Sequence, residues 1–203
     1  MELLKNGPEN ARYQLVLAHG AGAGMDTPFM NQIAEGLAER DVAVTRFEFP
    51  YMAARRVDGK KRPPDRAPKL LECWREVLQE LGGADKLFIG GKSMGGRMAS
   101  LIATELPVLG VVCLGYPFHP PGKPEKLRIE HFSDLKSKTL ICQGERDPFG
   151  GRDAVEAMNL PQDVILRWLP DGDHGLKPRK KSGHTEDGNL SQAVLEICAF
   201  MGV

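Results

Sequence analysis

Apolar positions along the chain recur with two periods. Tyr13 to Ala18 is a short apolar run ending at His19-Gly20, which predicts a buried strand. Thr27-Pro28 supplies a helix cap and a first-turn proline. Met30, Ile33, Ala34, Leu37 and Ala38 then follow at the spacing of one helical face. Val42 to Phe49, rich in β-branched and aromatic residues, predicts a second strand that stops at Pro50. Pro68 opens another helical pattern, with Leu70, Trp74, Val77, Leu78 and Leu81 on one face and Gly82-Gly83 as the stop. Lys86 to Gly90 predicts a third strand, and a helix from Met94 passes through Met98, Ala99 and Ile102. Leu109 to Gly115, Thr139 to Gln143 and Asp163 to Leu169 predict three more strands, with a short helix over Asp153 to Met158. Leu190, Ala193, Val194, Ile197, Cys198 and Met201 form the clearest stripe. Asn189 reads as its cap, with Gln192 at the spacing of a capping box.

Six strands separated mostly by helices imply parallel pairing through right-handed crossovers. The expected architecture is therefore an α/β, three-layer α/β/α sandwich around a mostly parallel sheet of about six strands. Residues 1–203 read as one domain, with no linker, repeat or low-complexity tract. Reactive groups in such sheets gather beyond the carboxyl ends of the strands.

Composition narrows the function classes. Apolar residues make up 41% and charged residues 27%, the balance of an ordinary globular chain. The 27 Lys and Arg offset 27 Asp and Glu, so the total charge gives no support to polyanion binding, and nucleic acid is disfavoured as a partner. No apolar run approaches the roughly 20 residues of a membrane span, and residues 1–10 lack the core of a secretory signal. Cys73, Cys113, Cys142 and Cys198 are scattered in apolar contexts and read as reduced, buried thiols, so a cytoplasmic protein is expected.

The chemistry concentrates at strand ends. Gly91-Lys92-Ser93-Met94-Gly95 is G-x-S-x-G between a strand and a helix. A strand turning abruptly into a helix brings flanking backbone so close that glycine is needed at the outer positions, and the serine is held exposed at the tip. A P-loop would need glycine where Lys86 stands. A dinucleotide fingerprint would need one at Met25. A serine needs a base that is itself oriented by a third group. In this architecture the order along the chain is Ser, acid, His. Asp147, after the fifth strand, is the expected orienting acid, with Glu145 and Asp153 as rivals. His174, after the sixth, is the expected base, with His184 as its rival. The backbone N–H of Met94, and that of Ala21 in the glycine-rich first loop, are the expected oxyanion donors. His19 reads as structural.

These motifs together resemble the α/β-hydrolase fold, and over nearly the whole chain. Gly91 to Arg97 (GKSMGGR) and Gly172 to Pro178 (GDHGLKP) are most similar to small dienelactone-hydrolase-like predicted hydrolases. The resemblance implies serine esterase chemistry on a small acyl substrate, with Ser93, His174 and Asp147 as the triad and with no metal or organic cofactor. Its broader group also includes chromatin-complex subunits, so a binding or scaffold protein of the same fold is the alternative. A nucleophile at the elbow that is Ser93 rather than Asp disfavours a dehalogenase. The connection from Tyr116 to Lys138 is too short for a cap domain, and only six strands are evident, without the two antiparallel strands that open the full fold, so a minimal, open-sited version is expected.

Two basic segments remain. Arg55, Arg56, Lys60, Lys61, Arg62 and Arg66 follow the second strand, and Lys177, Arg179, Lys180 and Lys181 follow His174. They read first as solvated loops with acidic neighbours, and second as charge that could draw an anionic substrate or partner to Ser93. Tyr116, Phe118 and Phe149 read as core or as lining of an acyl pocket. Oligomeric state is not legible.

Overall fold

The run Leu15 to Ala18 is fully buried, and successive side chains go to opposite sides of one sheet. This strand is β2 (Gln14–Ala18). Leu15 and Leu17 join a core with the helices α1 (Pro28–Ala38) and α6 (Glu186–Met201). Val16 and Ala18 join a second core with α3 (Ala67–Glu80) and α4 (Met94–Glu105). A strand covered on both faces must be apolar throughout, which is why these strands show no alternation. The computed structural model describes residues 2–203.

The other strands are β1 (Leu3–Asn6), β3 (Ala43–Phe47), β4 (Leu87–Lys92), β5 (Gly110–Leu114), β6 (Thr139–Gly144) and β7 (Val164–Leu169). Among the described residues they form one seven-stranded sheet in the order β1-β3-β2-β4-β5-β6-β7. All neighbours are parallel except β1, which pairs antiparallel with β3 in the register Leu3 to Phe47. The expected six strands are present, and β1 is a seventh at the edge. One of the opening antiparallel strands is therefore retained.

Three further differences bear on the site. The segment after β3 is not a loop throughout: Pro50–Asp58 forms helix α2, closed by Gly59 with a φ of 71°. Arg55 and Arg56 therefore sit on a helix. The short helix expected over 153–158 is α5 (Arg152–Glu156). Finally, α6 starts one turn early, capped by Thr185, whose Oγ1 accepts from the Gly188 N–H at 3.0 Å. Asn189 is not the cap. Its buried amide donates to the carbonyls of Pro170 (3.0 Å) and Leu176 (2.7 Å), so it pins both sides of the loop that carries His174. Helix α1 follows expectation, with Thr27 Oγ1 accepting from Met30 N.

Candidate active site

The turn from β4 into α4 is built by close backbone approach. A Cβ on Gly91 would lie 2.4 Å from the Ala18 carbonyl oxygen, and one on Gly95 would lie 2.4 Å from that atom and 2.6 Å from the His19 oxygen. Neither position admits a larger residue. Between them Ser93 adopts φ 52° and ψ −114°, a conformation that costs a non-glycine residue on the order of 1–3 kcal/mol. Its N–H donates to the Leu114 carbonyl at 3.0 Å, and its carbonyl accepts from Arg97 N at 3.0 Å. The elbow is thus tied to β5 on one side and to its own helix on the other.

His174 and Asp147 meet this serine. His174 Nε2 lies 2.8 Å from Ser93 Oγ, and His174 Nδ1 lies 2.8 Å from Asp147 Oδ2. An ionised carboxylate only accepts, so the network assigns the imidazole proton to Nδ1 and leaves Nε2 to accept from the hydroxyl. Asp147 is 2% exposed and fully engaged. Its Oδ1 accepts from Phe149 N (2.8 Å), and its Oδ2 also accepts from Gln143 Nε2 (2.9 Å). Gln143 is itself completely buried at the end of β6 and accepts from Tyr116 N at 2.7 Å. Sequence reasoning passed over it, although a lone amide closing an apolar strand was a signal. The sequence rivals stand elsewhere. Glu145 accepts from Asp171 N and pairs with Arg152, Asp153 lies on α5, and His184 is exposed.

The His174 loop is braced from several sides. Asp173 Oδ1 accepts from Gly175 N and Lys177 N, and Asn189 holds the flanking carbonyls. Lys92 adds a further tie, its ammonium donating to the His174 carbonyl. Burial pushes the Lys92 amine down to about 8, against the pull of Asp147 and Asp173, and the nitrogen lies 5.3 Å from the Phe29 ring centroid. In the unfolded chain the amine keeps its ordinary value near 10.4. Below pH 8 both states hold the proton. Between about 8 and 10 the unfolded chain holds more of it than the native protein does, so this group makes stability rise with pH. Relative to Lys92→Met, wild-type unfolding free energy should therefore gain about 2 kcal/mol between pH 7 and pH 10, allowing for partial solvation of the side chain. Urea denaturation of the two proteins at both pH values measures the gap. A constant gap would remove the buried ammonium.

The first loop completes the rim. His19 is buried and its pKa is lowered by desolvation, so it is neutral. Its Nδ1 donates to the Gly20 carbonyl (2.6 Å), and Nε2 accepts from Phe49 N (3.1 Å), a structural role as expected. The Tyr51 hydroxyl donates to the carbonyls of Gly20 and Ala21 at 3.3 and 3.0 Å. Among the described residues no protein acceptor meets the N–H of Ala21 or of Met94.

Two cavities flank Ser93. One, about 490 Å³, has Gly20, Ala21, Phe29, Lys92 and His174 in its walls. The other, about 370 Å³, is bounded by Met94, Arg97, Leu70, Pro117 and Arg128. Ala21, Ser93 and Phe149 belong to both. Phe149 lies against the His174 ring with centroids 4.3 Å apart, whereas Tyr116 and Phe118 are wholly core. None of the lysines and arginines of the two basic segments lines either cavity. Arg56 pairs with Asp26 and Glu48, Arg62 with Asp58, Lys177 with Glu186 and Arg179 with Asp171. Acidic neighbours therefore neutralise these four of the ten basic side chains. The four cysteines are free and buried. Among the described residues no helix is long and apolar enough to cross a membrane.

Comparison with known proteins agrees with the geometry of the fold. The chain is similar to a dienelactone hydrolase from Anabaena variabilis at 21% identity and a TM-score of 0.69, covering 100% of this chain and 92% of that one. It is similar to Est1E from Butyrivibrio proteoclasticus at 14% identity and a TM-score of 0.72, covering 98% and 93%. It is also similar to XC6422 from Xanthomonas campestris, described as an α/β serine hydrolase without a lid, at 18% identity and a TM-score of 0.63, covering 96% and 88%. Identities this low speak to the fold alone. A family model described as an alpha/beta hydrolase domain matches residues 11–202. With its mostly parallel sheet, its serine at a strained strand-to-helix turn and no inserted cap between β5 and β6, the chain belongs to the α/β-hydrolase family.

Proposed function

We propose that the protein is a serine hydrolase that cleaves small ester or thioester substrates through an acyl-enzyme. The reading rests on one observation, the unbroken hydrogen-bonded chain from Ser93 Oγ through His174 to buried Asp147. His174 Nε2 takes the hydroxyl proton as Ser93 Oγ attacks the carbonyl carbon. The N–H groups of Met94 and Ala21 receive the oxyanion, and the positive end of α4 favours the same charge. His174 then returns the proton to the leaving alcohol or thiol. Water, deprotonated by the same nitrogen, attacks the acyl-enzyme; the bond to Ser93 Oγ breaks, His174 returns the proton to that oxygen and the acid leaves, while Asp147 stabilises the imidazolium in both halves. No metal or organic cofactor enters this scheme.

A fluorophosphonate probe tests the reading directly. The protein should be labelled stoichiometrically, with the adduct found on the tryptic peptide containing Ser93, and labelling should stop p-nitrophenyl acetate turnover. A folded sample that neither labels nor turns over esters and thioesters would be a binding or scaffold protein instead.

A further inference from the structure

The cavity on the α4 side of Ser93 holds two cations with no counter-ion. Among the described residues, the half-buried guanidiniums of Arg62, Arg75 and Arg152 are paired with carboxylates, and that of Arg55 bonds the Gly22 carbonyl. Arg97 and Arg128, equally half-buried, have no hydrogen bond or ion pair from their side chains. Arg97 Nε is itself buried with no partner. The two charges feel each other: burial lowers the Arg128 pKa, and Arg97 lowers it further. Uncompensated charge in a partly dry wall is costly, and a chain that keeps two such groups together leaves room for an anion to offset them.

Their neighbours do not fill that role. Asp65 also borders the cavity, but its Oδ1 pairs with Lys69 at 3.0 Å and its Oδ2 accepts from Tyr51 N at 3.1 Å. His131, next to Arg97, is held neutral at physiological pH because burial and the Arg97 charge push its pKa down to about 4. Its Nε2 shares a proton with Ser100 Oγ at 2.8 Å. Position is also set by the fold. Arg97 stands one helical turn after Ser93, about 6 Å away along the same face. Arg128 is fixed by its backbone, whose N–H donates to the Phe118 carbonyl (2.8 Å) and whose carbonyl accepts from the buried Tyr116 hydroxyl (2.7 Å). A guanidinium fork matches a carboxylate two bonds at a time.

We infer that Arg97 and Arg128 form an anion subsite, so that the preferred substrate is an ester or thioester carrying a carboxylate a few bonds from the scissile carbonyl. The inference rests on the serine-hydrolase reading for its use but not for its existence. The opposite cavity, walled by Phe29 and Met30, receives the uncharged part.

Two substrate pairs decide on which side of the scissile bond the carboxylate lies. Monomethyl succinate against methyl butanoate places it on the acyl group, and acetoxyacetate against propyl acetate places it on the alcohol. In one pair kcat/KM should favour the anion at least tenfold. Arg128→Gln and Arg97→Gln should each reduce that ratio at least fivefold, and Arg128→Lys should reduce it less than Arg128→Gln. Lys86→Gln, an exposed change at the opposite end of the sheet, should leave the ratio alone. Equal rates within both pairs, or a preference that survives both glutamine variants, would overturn the subsite. Titration calorimetry on Ser93→Ala with the two anionic esters gives a readout free of chemistry. Binding of one of them, at least tenfold weaker in Ser93→Ala/Arg128→Gln, is expected. If the wild type turns over no ester, that binding alone sustains the subsite while the hydrolase reading falls, and absence of binding as well ends both.

Discussion

Ser93→Ala should lower kcat toward p-nitrophenyl acetate by about 10⁶-fold and end fluorophosphonate labelling, with the fold intact. The size follows from what is lost: no other hydroxyl or thiol accompanies Ser93 in the walls of the two cavities beyond Thr27, which caps α1. The fold survives because alanine keeps the Cβ, and the backbone ties to Leu114 and Arg97 do not involve the side chain. Ser93→Gly makes the comparison sharper. Glycine adopts positive φ at little cost, so this variant should be inactive yet more stable than wild type by about 1 kcal/mol. Rates and thermal midpoints of the three proteins measure both effects. An alanine variant that retained more than a hundredth of the wild-type rate would take Ser93 out of the mechanism.

Asp147→Asn should cost about 10⁴-fold in kcat. Each carboxylate oxygen of Asp147 already faces donors, Phe149 N on one and Gln143 Nε2 with His174 Nδ1 on the other. An asparagine has one oxygen to offer. With its NH₂ toward Phe149 it sets donor against donor. With its NH₂ toward His174 it forces Nδ1 to accept, which moves the imidazole proton to Nε2 and leaves nothing to take the serine proton. The second arrangement also opposes the Gln143 amide, so a loss of about 1–3 kcal/mol in stability should accompany the rate effect. Steady-state kinetics and urea denaturation separate the two. A loss of less than tenfold in kcat would show that the imidazole is oriented by something other than this carboxylate.

What the sequence made legible follows from where side chains point. Strands β2, β4, β5 and β6 were readable because a sheet covered on both faces produces mainly apolar runs, whereas β3 was marked by its β-branched and aromatic residues and β7, part-buried at the edge, by the apolar residues on either side of Arg167. Strand β1 was not, since Leu-Leu-Lys-Asn at an edge is only half-buried and too short for a period. Helix α2 was missed for a related reason: only Tyr51 and Met52 are buried, so no helical stripe exists to see. The start of α6 was misplaced because its first turn, Glu186 to Gly188, contributes no apolar residue. Asn189 carries the right residue type for a cap but spends its amide on the His174 loop. The positions of Ser93, Asp147 and His174 could be anticipated because each follows a readable strand. The pairing of Arg56 with Asp26 could not, since a contact across 30 residues leaves no local pattern. Arg97 ends the GKSMGGR segment and Arg128 lies in the connection from β5 to β6, and only their shared wall gives them meaning.

The division of the space around Ser93 into two compartments has a kinetic consequence. In the proposed acyl-enzyme scheme, the acyl group would still occupy its own compartment at the end of the first half-reaction, while the departed alcohol would vacate the other. The acceptor that enters next would pass between the walls of that open cleft, and the walls would select by shape and charge as well as by concentration. Added alcohols that fit should therefore compete with water out of proportion to their molarity, dividing the product between free acid and a new ester.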